Sequence, residues 1–135
     1  MKSKADLVRG WLRKAQSDVT NVNLCVSTGQ ALDTACFHAQ QAAEKCLKAY
    51  LTYREIDFPF IHNLEKLIEV CATCDPAFQS IKPLAELLTP YAVELRYDAD
   101  FWPDIHTAGE AMRIALKIRG FVLERLPAEF RNGDA

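Results

Sequence analysis

The residues best suited to chemistry fall in two segments. The first is Phe37-His38-Ala39-Gln40-Gln41-Ala42-Ala43-Glu44-Lys45-Cys46-Leu47-Lys48-Ala49-Tyr50. His38, Gln41, Lys45 and Lys48 recur at steps of three, four and three, which on a helix places them along one ridge. Such a ridge has two readings. It is a solvated face, with Glu44 and Lys48 as an i,i+4 ion pair worth roughly a few tenths of a kcal/mol. Or it is the wall of a polar groove, where lysine neutralises phosphate and His or Gln contacts a base or sugar. The second segment, Glu94-Leu95-Arg96-Tyr97-Asp98-Ala99-Asp100-Phe101-Trp102-Pro103, stands where a helical pattern ends. There Arg96 either satisfies the last carbonyls of a helix or clamps a phosphate, with Tyr97 beside it to stack on a base. His62 and His106 are isolated at loop edges and read as helix-start hydrogen-bond partners rather than catalysts.

Other chemistries lack their residues. The five cysteines, Cys25, Cys36, Cys46, Cys71 and Cys74, are odd in number, and three interrupt helical apolar patterns. They read as buried, reduced thiols. Cys71-Ala-Thr-Cys74 has no second ligand pair for structural zinc and no preceding strand for a redox motif. No metal and no cofactor is expected. No Ser-His-Asp or Cys-His order and no glycine-rich phosphate loop is legible. Asp98 and Asp100 lack a framework that would make them metal ligands.

The elements that must position these residues are helical throughout. Val8, Leu12, Ala15, Val19, Val22 and Val26 form the apolar stripe of a helix from about Lys4 to Ser27, and Gly29 suits a left-handed cap. A second helix spans about Ala31 to Ile56, its stripe rich in the small residues Ala35, Ala39, Ala42 and Ala49. His62-Asn63 opens a short helix carrying Leu64, Leu67, Ile68 and Cys71. Asp75-Pro76 starts a helical but interrupted stretch to about Tyr97, with Pro83 beginning a new segment and Pro90 either kinking it or absorbed near its first turns. After a loop from Asp98 to His106, Thr107 and Glu110 have capping-box spacing and open a helix to about Leu126, stopped by Pro127. The sum is an all-α, antiparallel up-and-down bundle of four main helices plus a short one. It is a single domain over residues 1–135, with a short polar C-terminal tail from about 128. Half the residues are apolar and net charge is −2, which fits a globular core and argues against a globally basic nucleic-acid binder. A charged N-terminus, and the lack of any run near about 18 apolar residues, point to a cytoplasmic chain with no membrane contact.

The two segments resemble the HEPN family, the "higher eukaryotes and prokaryotes nucleotide-binding" domains. The resemblance runs from about Trp11 to Val122. It is carried by Ala15-x-x-Asp18, the run from Ala35 to Leu51, His62-Asn63-Leu64 and Glu94-Leu95-Arg96-Tyr97. It implies a helical bundle, commonly a homodimer with a cleft between protomers, often acting with a minimal nucleotidyltransferase in toxin–antitoxin or related modules. Many members are metal-independent ribonucleases whose motif is an Arg followed, after four to six intervening residues, by a His. Arg96 matches the Arg; Phe101, Trp102 and Pro103 occupy the positions for the His. Without that proton acceptor the enzyme reading weakens. The resulting expectation is a non-catalytic nucleotide- or RNA-binding dimer, its site made by Arg96, Tyr97, His38, Gln41, Lys45 and Lys48. Two alternatives stand beside it: a divergent ribonuclease using Arg96 and His106, and a structural helical interaction module.

Overall fold

A computed structural model describes residues 1–131 of the 135. Its helices are α1 (Lys4–Thr28), α2 (Leu32–Tyr53), α3 (Leu64–Ala72), α4 (Lys82–Leu88), α5 (Ile105–Leu123) and α6 (Ala128–Arg131). Among the described residues there is no strand. The all-α antiparallel bundle expected from the periodicity is the observed fold.

α1 begins with a reciprocal cap. The Ser3 hydroxyl accepts from the Asp6 N–H, and the Asp6 carboxylate accepts from the Ser3 N–H, both at 3.1 Å. It ends at Gly29, whose φ of 68° lets its N–H reach back to the carbonyls of Cys25 and Val26. Only Gly29, Gln30 and Ala31 separate α1 from α2, so the two helices fold back on each other as a helical hairpin.

α2 is the centre of the molecule, with α1, α5, α3 and α4 packed around it. Every residue from Cys46 to Leu51 is buried, which is how a helix surrounded on all sides must look. Ala35, Ala39, Ala42, Ala43 and Ala49 keep the side-chain layer thin and let neighbouring helices approach closely. Leu47, Leu51, Leu64, Leu67, Ile68 and Ile118 fill the remaining space, each contributing roughly 1.5–3 kcal/mol by leaving water. Tyr50, Phe78 and Phe121 pack in series, the first pair tilted and the second edge-to-face, at centroid distances of 4.6 and 4.9 Å.

Several boundaries differ from the sequence expectation for identifiable reasons. α2 stops at Tyr53 rather than near Ile56, because Glu55 takes a left-handed φ of 57° and the Ile56 N–H closes onto the Leu51 carbonyl at 2.9 Å. The interrupted stretch is broken further than two prolines alone suggest. A 3₁₀ segment (Pro76–Ile81), α4, a second 3₁₀ turn (Thr89–Tyr91) and a run of turns to Tyr97 follow one another. Pro83 sits in the first turn of α4 and Pro90 in the second 3₁₀ turn, where a missing N–H is tolerated.

α5 is capped by Asp104, whose carboxylate accepts from the Thr107 N–H at 2.8 Å. The expected Thr107–Glu110 box is therefore not the cap; Glu110 pairs instead with Arg113 at 2.6 Å. The polar tail expected from about 128 begins as α6, where Phe130 packs on Tyr53 at 4.8 Å and Arg9 donates to the Glu129 carbonyl at 2.7 Å. The rest of that tail lies outside the described residues.

Candidate functional site

The polar residues of α2 separate into two clusters, each organised by a buried carboxylate. Asp18, on α1, is the first. Its Oδ1 lies 2.8 Å from His38 Nδ1, and its Oδ2 accepts from Lys45 Nζ at 2.7 Å. Glu44 is the second. It accepts from Lys48 Nζ at 3.0 Å and Gln40 Nε2 at 3.2 Å, and its Oε1 lies 2.8 Å from His62 Nδ1. Gln40 also donates to the His62 carbonyl at 2.8 Å, fastening the loop before α3 onto α2.

The expected single ridge of His38, Gln41, Lys45 and Lys48 thus does not hold as one surface. Ten residues at 3.6 per turn rotate Lys48 by about 80° from His38, which carries it off the His38–Lys45 line. Lys48 is buried, its side chain 8% exposed, and its ammonium lies 5.5 Å above the Trp11 ring and 5.8 Å above Phe58. The Glu44–Lys48 pair is accordingly an internal one, not the solvated pair of the bland reading. Gln41 donates to Gln40 Oε1 at 2.8 Å and joins the Glu44 cluster. His62 anchors to α2, while Asn63 supplies the α3 cap by accepting from the Lys66 N–H at 3.0 Å.

His38 and Arg96 do meet. With Asp33, Thr34 and Phe37 they line a cleft of about 300 Å³. Arg96 stands in the run of turns after Pro90, not at the end of a regular helix. That run is held by the Leu95 N–H on the Pro90 carbonyl at 2.8 Å and the Tyr97 N–H on the Val93 carbonyl at 3.3 Å. Its guanidinium lies 4.0 Å from the Phe37 ring centroid and 5.3 Å from that of Tyr97. The cation is held over the rings by cation–π attraction. Tyr97 is 74% exposed, so its ring is open to a ligand. Lys45 stands behind His38 through Asp18 and does not line the cleft.

His106 lies elsewhere. It lines a cleft of about 220 Å³ with Leu87, Leu88, Tyr91, Thr107, Glu110, Ala111 and Ile114, none of which borders the Arg96 cleft. The arrangement therefore does not unite Arg96 and His106 in one cleft of the protomer. Among the described residues no group of three or more His, Cys, Asp or Glu side chains is placed to hold a metal ion. All five cysteines are free thiols. Burial pushes Cys46 and Cys71 up to about 12, and burial with the nearby Asp33 charge pushes Cys36 up to about 11.

Sequence reading missed Asp33 and Phe37 as cleft residues and Asp18 as the anchor of His38. Asp18 carried a signal: it falls three residues after Ala15 and four before Val22, on the buried side of α1. A carboxylate on an apolar stripe is a paired one.

A bundle centred on a polar-studded helix, with an Arg-bearing turn closed over one end, defines the class of fold. The HEPN domain profile matches residues 8–126, and the chain belongs to the HEPN domain family. Two solved structures are similar to it. TT1696 from Thermus thermophilus is 27% identical, with a TM-score of 0.72 over 88% of this chain and 98% of its own. ST0689, described as an archaeal HEPN homologue, is 26% identical, with a TM-score of 0.71 over 93% of this chain and 98% of its own. No curated protein sequence matches the chain. No helix among the described residues is long and apolar enough to cross a membrane.

Proposed function

We propose that this HEPN domain is a non-catalytic nucleotide- or RNA-binding protein whose ligand enters the cleft between Phe37, His38 and Arg96. The observation that carries this reading is the stacked Arg96 guanidinium beside His38 in one open cleft. Arg96 presents a planar fork to phosphate oxygens, and Tyr97 offers a face for a base. The separation of His106 from Arg96 supports binding over ribonuclease action by that pair. The protein acts as a homodimer in the cytoplasm, with a minimal nucleotidyltransferase partner in a toxin–antitoxin-like module. Val93, Trp102 and Ile105, each more than half exposed, supply apolar surface that a second copy would cover.

The test is fluorescence anisotropy with a labelled ten-nucleotide uridylate in EDTA, alongside gel analysis of the RNA. Arg96→Lys should weaken binding about tenfold although charge is retained, because the bidentate fork is lost. It should leave the melting temperature within about 2 °C, since Arg96 is exposed. His106→Ala should bind like the parent. Equal affinity of parent and Arg96→Lys with a large fall in melting temperature would make Arg96 a structural residue. Chelator-resistant cleavage lost in His106→Ala would replace the binding reading with the ribonuclease one. Light scattering at micromolar concentration that finds only a 15.2 kDa species would remove the dimer.

A further inference from the structure

The five residues around the Arg96 cleft divide by hydrogen-bonding character. Arg96 is a pure donor. Asp33 is a pure acceptor when ionised, and the Thr34 hydroxyl donates to the Ala31 carbonyl at 2.9 Å, which leaves its oxygen as an acceptor. Phe37 has neither group. His38 is the one member whose character depends on which ring nitrogen carries the proton, and it is set from behind. Its Nδ1 is engaged by Asp18 at 2.8 Å, and Asp18 is buried, its side chain 8% exposed. Lys45 already supplies the compensating charge on the other carboxylate oxygen at 2.7 Å. The carboxylate needs from His38 only a proton donor, which the neutral ring provides as Nδ1–H. The nitrogen left over is Nε2, an acceptor.

We propose that Asp18 is a positioning residue which fixes His38 in the Nδ1–H tautomer, and that the Nε2 lone pair accepts a hydrogen bond from a ribose hydroxyl, so that the cleft selects ribonucleotide over deoxyribonucleotide chains. This rests on the Arg96 cleft being the ligand site. A phosphate carries only acceptors and is repelled by Nε2 and by Asp33, so it goes to Arg96. A 2′-hydroxyl, donor as well as acceptor, distinguishes RNA from DNA and lies beside the backbone phosphate, so beside an Nε2 lone pair it donates. An acceptor and a guanidinium fork in one cleft match that pair of groups. A bare phosphate or a deoxyribose chain leaves the acceptor unmatched.

The experiment compares fluorescein-labelled decauridylate with the same ten-mer of deoxyuridylate, at about pH 8, in EDTA and fixed salt, so that the probes differ only at the sugar. The parent should bind the ribose probe roughly five- to tenfold more tightly, the worth of one hydrogen bond. Asp18→Asn should abolish the ratio. Lys45 would draw the amide oxygen, turning the amide N–H₂ toward His38 Nδ1 and forcing the proton onto Nε2, as a carboxylate-to-amide change does in hydrolase triads. Nε2–H then donates to the charged phosphate oxygens that both probes carry, so the ribose probe loses its advantage while the deoxyribose probe loses no affinity.

Nitrogen-15 NMR of the His38 ring reads the tautomer without any ligand: Nδ1–H in the parent, Nε2–H in Asp18→Asn. If Asp18→Asn fails to fold, His38→Phe keeps the Asp18–Lys45 pair and should bind both probes equally. Equal binding of the two probes by the parent overturns the selectivity and leaves the cleft standing. An Nε2–H tautomer in the parent overturns the positioning role. Failure of both probes to bind the parent removes the cleft reading and this inference with it.

Discussion

Replacing Glu44 with alanine removes a carboxylate, 5% exposed at its side chain, on which Lys48, Gln40 and His62 converge. The variant leaves the Lys48 ammonium buried without a counter-ion. Breaking a buried pair from one side costs roughly 3–5 kcal/mol. The faces of Trp11 and Phe58, 5.5 and 5.8 Å from the ammonium, offset roughly 1 kcal/mol of that. A net loss of about 2–4 kcal/mol follows. A chain of this length loses about 3–4 °C of melting temperature per kcal/mol, so the fall should be about 6–16 °C. Lys48→Met is the informative contrast. It removes the cation, fills the space with an apolar chain, and leaves Glu44 with Gln40 and His62, so its loss should be smaller. In the double variant no charge is stranded at this pair, and its loss should fall short of the sum of the single losses by about 2 kcal/mol. Urea unfolding followed by circular dichroism measures all three. A Glu44→Ala loss below about 1 kcal/mol, or strict additivity in the double variant, would refute the view that Glu44 exists to hold Lys48 inside.

Three further outcomes are expected. At about pH 8 an aromatic disulfide reagent should label at most Cys25 and Cys74 in the folded protein and all five cysteines after denaturation, because Cys36, Cys46 and Cys71 are buried and their thiolates suppressed; rapid labelling of a third would contradict their burial. Gly29→Ala should lower the melting temperature by about 3–7 °C, since φ is 68° and an added Cβ meets nothing within 4 Å, leaving only the left-handed backbone cost of roughly 1–2 kcal/mol; an unchanged melting temperature would mean the cap is not strained. The Ala77 N–H, with Arg125, holds Asp75 below the ordinary aspartate range, and the Thr107 N–H does the same for Asp104. Their stabilisation is therefore full above about pH 4 and is lost as pH falls through the depressed values. The Asp75→Asn, Asp104→Asn double variant should melt below the parent at about pH 6 and converge with it near pH 2, and a constant difference would refute the linkage.

The bundle was legible because burial writes itself as spacing. The α1 stripe, the α2 alanines and the Leu64-Leu67-Ile68-Cys71 face all pack inward. Caps were partly legible: Gly29 was, the start of α3 was placed at His62-Asn63 but its hydrogen bond was given to His62 where Asn63 makes it, and Asp104 lost to the equally plausible Thr107. The candidate site was half legible. His38 and Arg96 were named for their chemistry, and the structure brings them together. The four-residue step of Gln40, Glu44 and Lys48 lay in the same run, but the three-four-three reading drew Lys48 onto the wrong face. Helical spacing fixes rotation about one axis and says nothing of which carboxylate on another helix will answer. That is why Asp18, which decides what His38 does, was missed, while Glu44 was paired with Lys48 by its four-residue step but placed on a solvated face.

The two sides of the Arg96 cleft differ in how they are anchored. Phe37 and His38 ride on α2, where 13 of 22 residues are buried. From Val93 to Thr107, on the Arg96 side, no residue is buried. Hydrogen exchange should therefore be slow in α2 and faster in the Arg96 segment, which fewer buried contacts hold. One jaw of the cleft is thus an anvil and the other a hinged latch. Closing the latch on a ligand draws its entropic cost from the segment that carries Arg96, so affinity is tunable by residues between Val93 and Asp104 without touching the core.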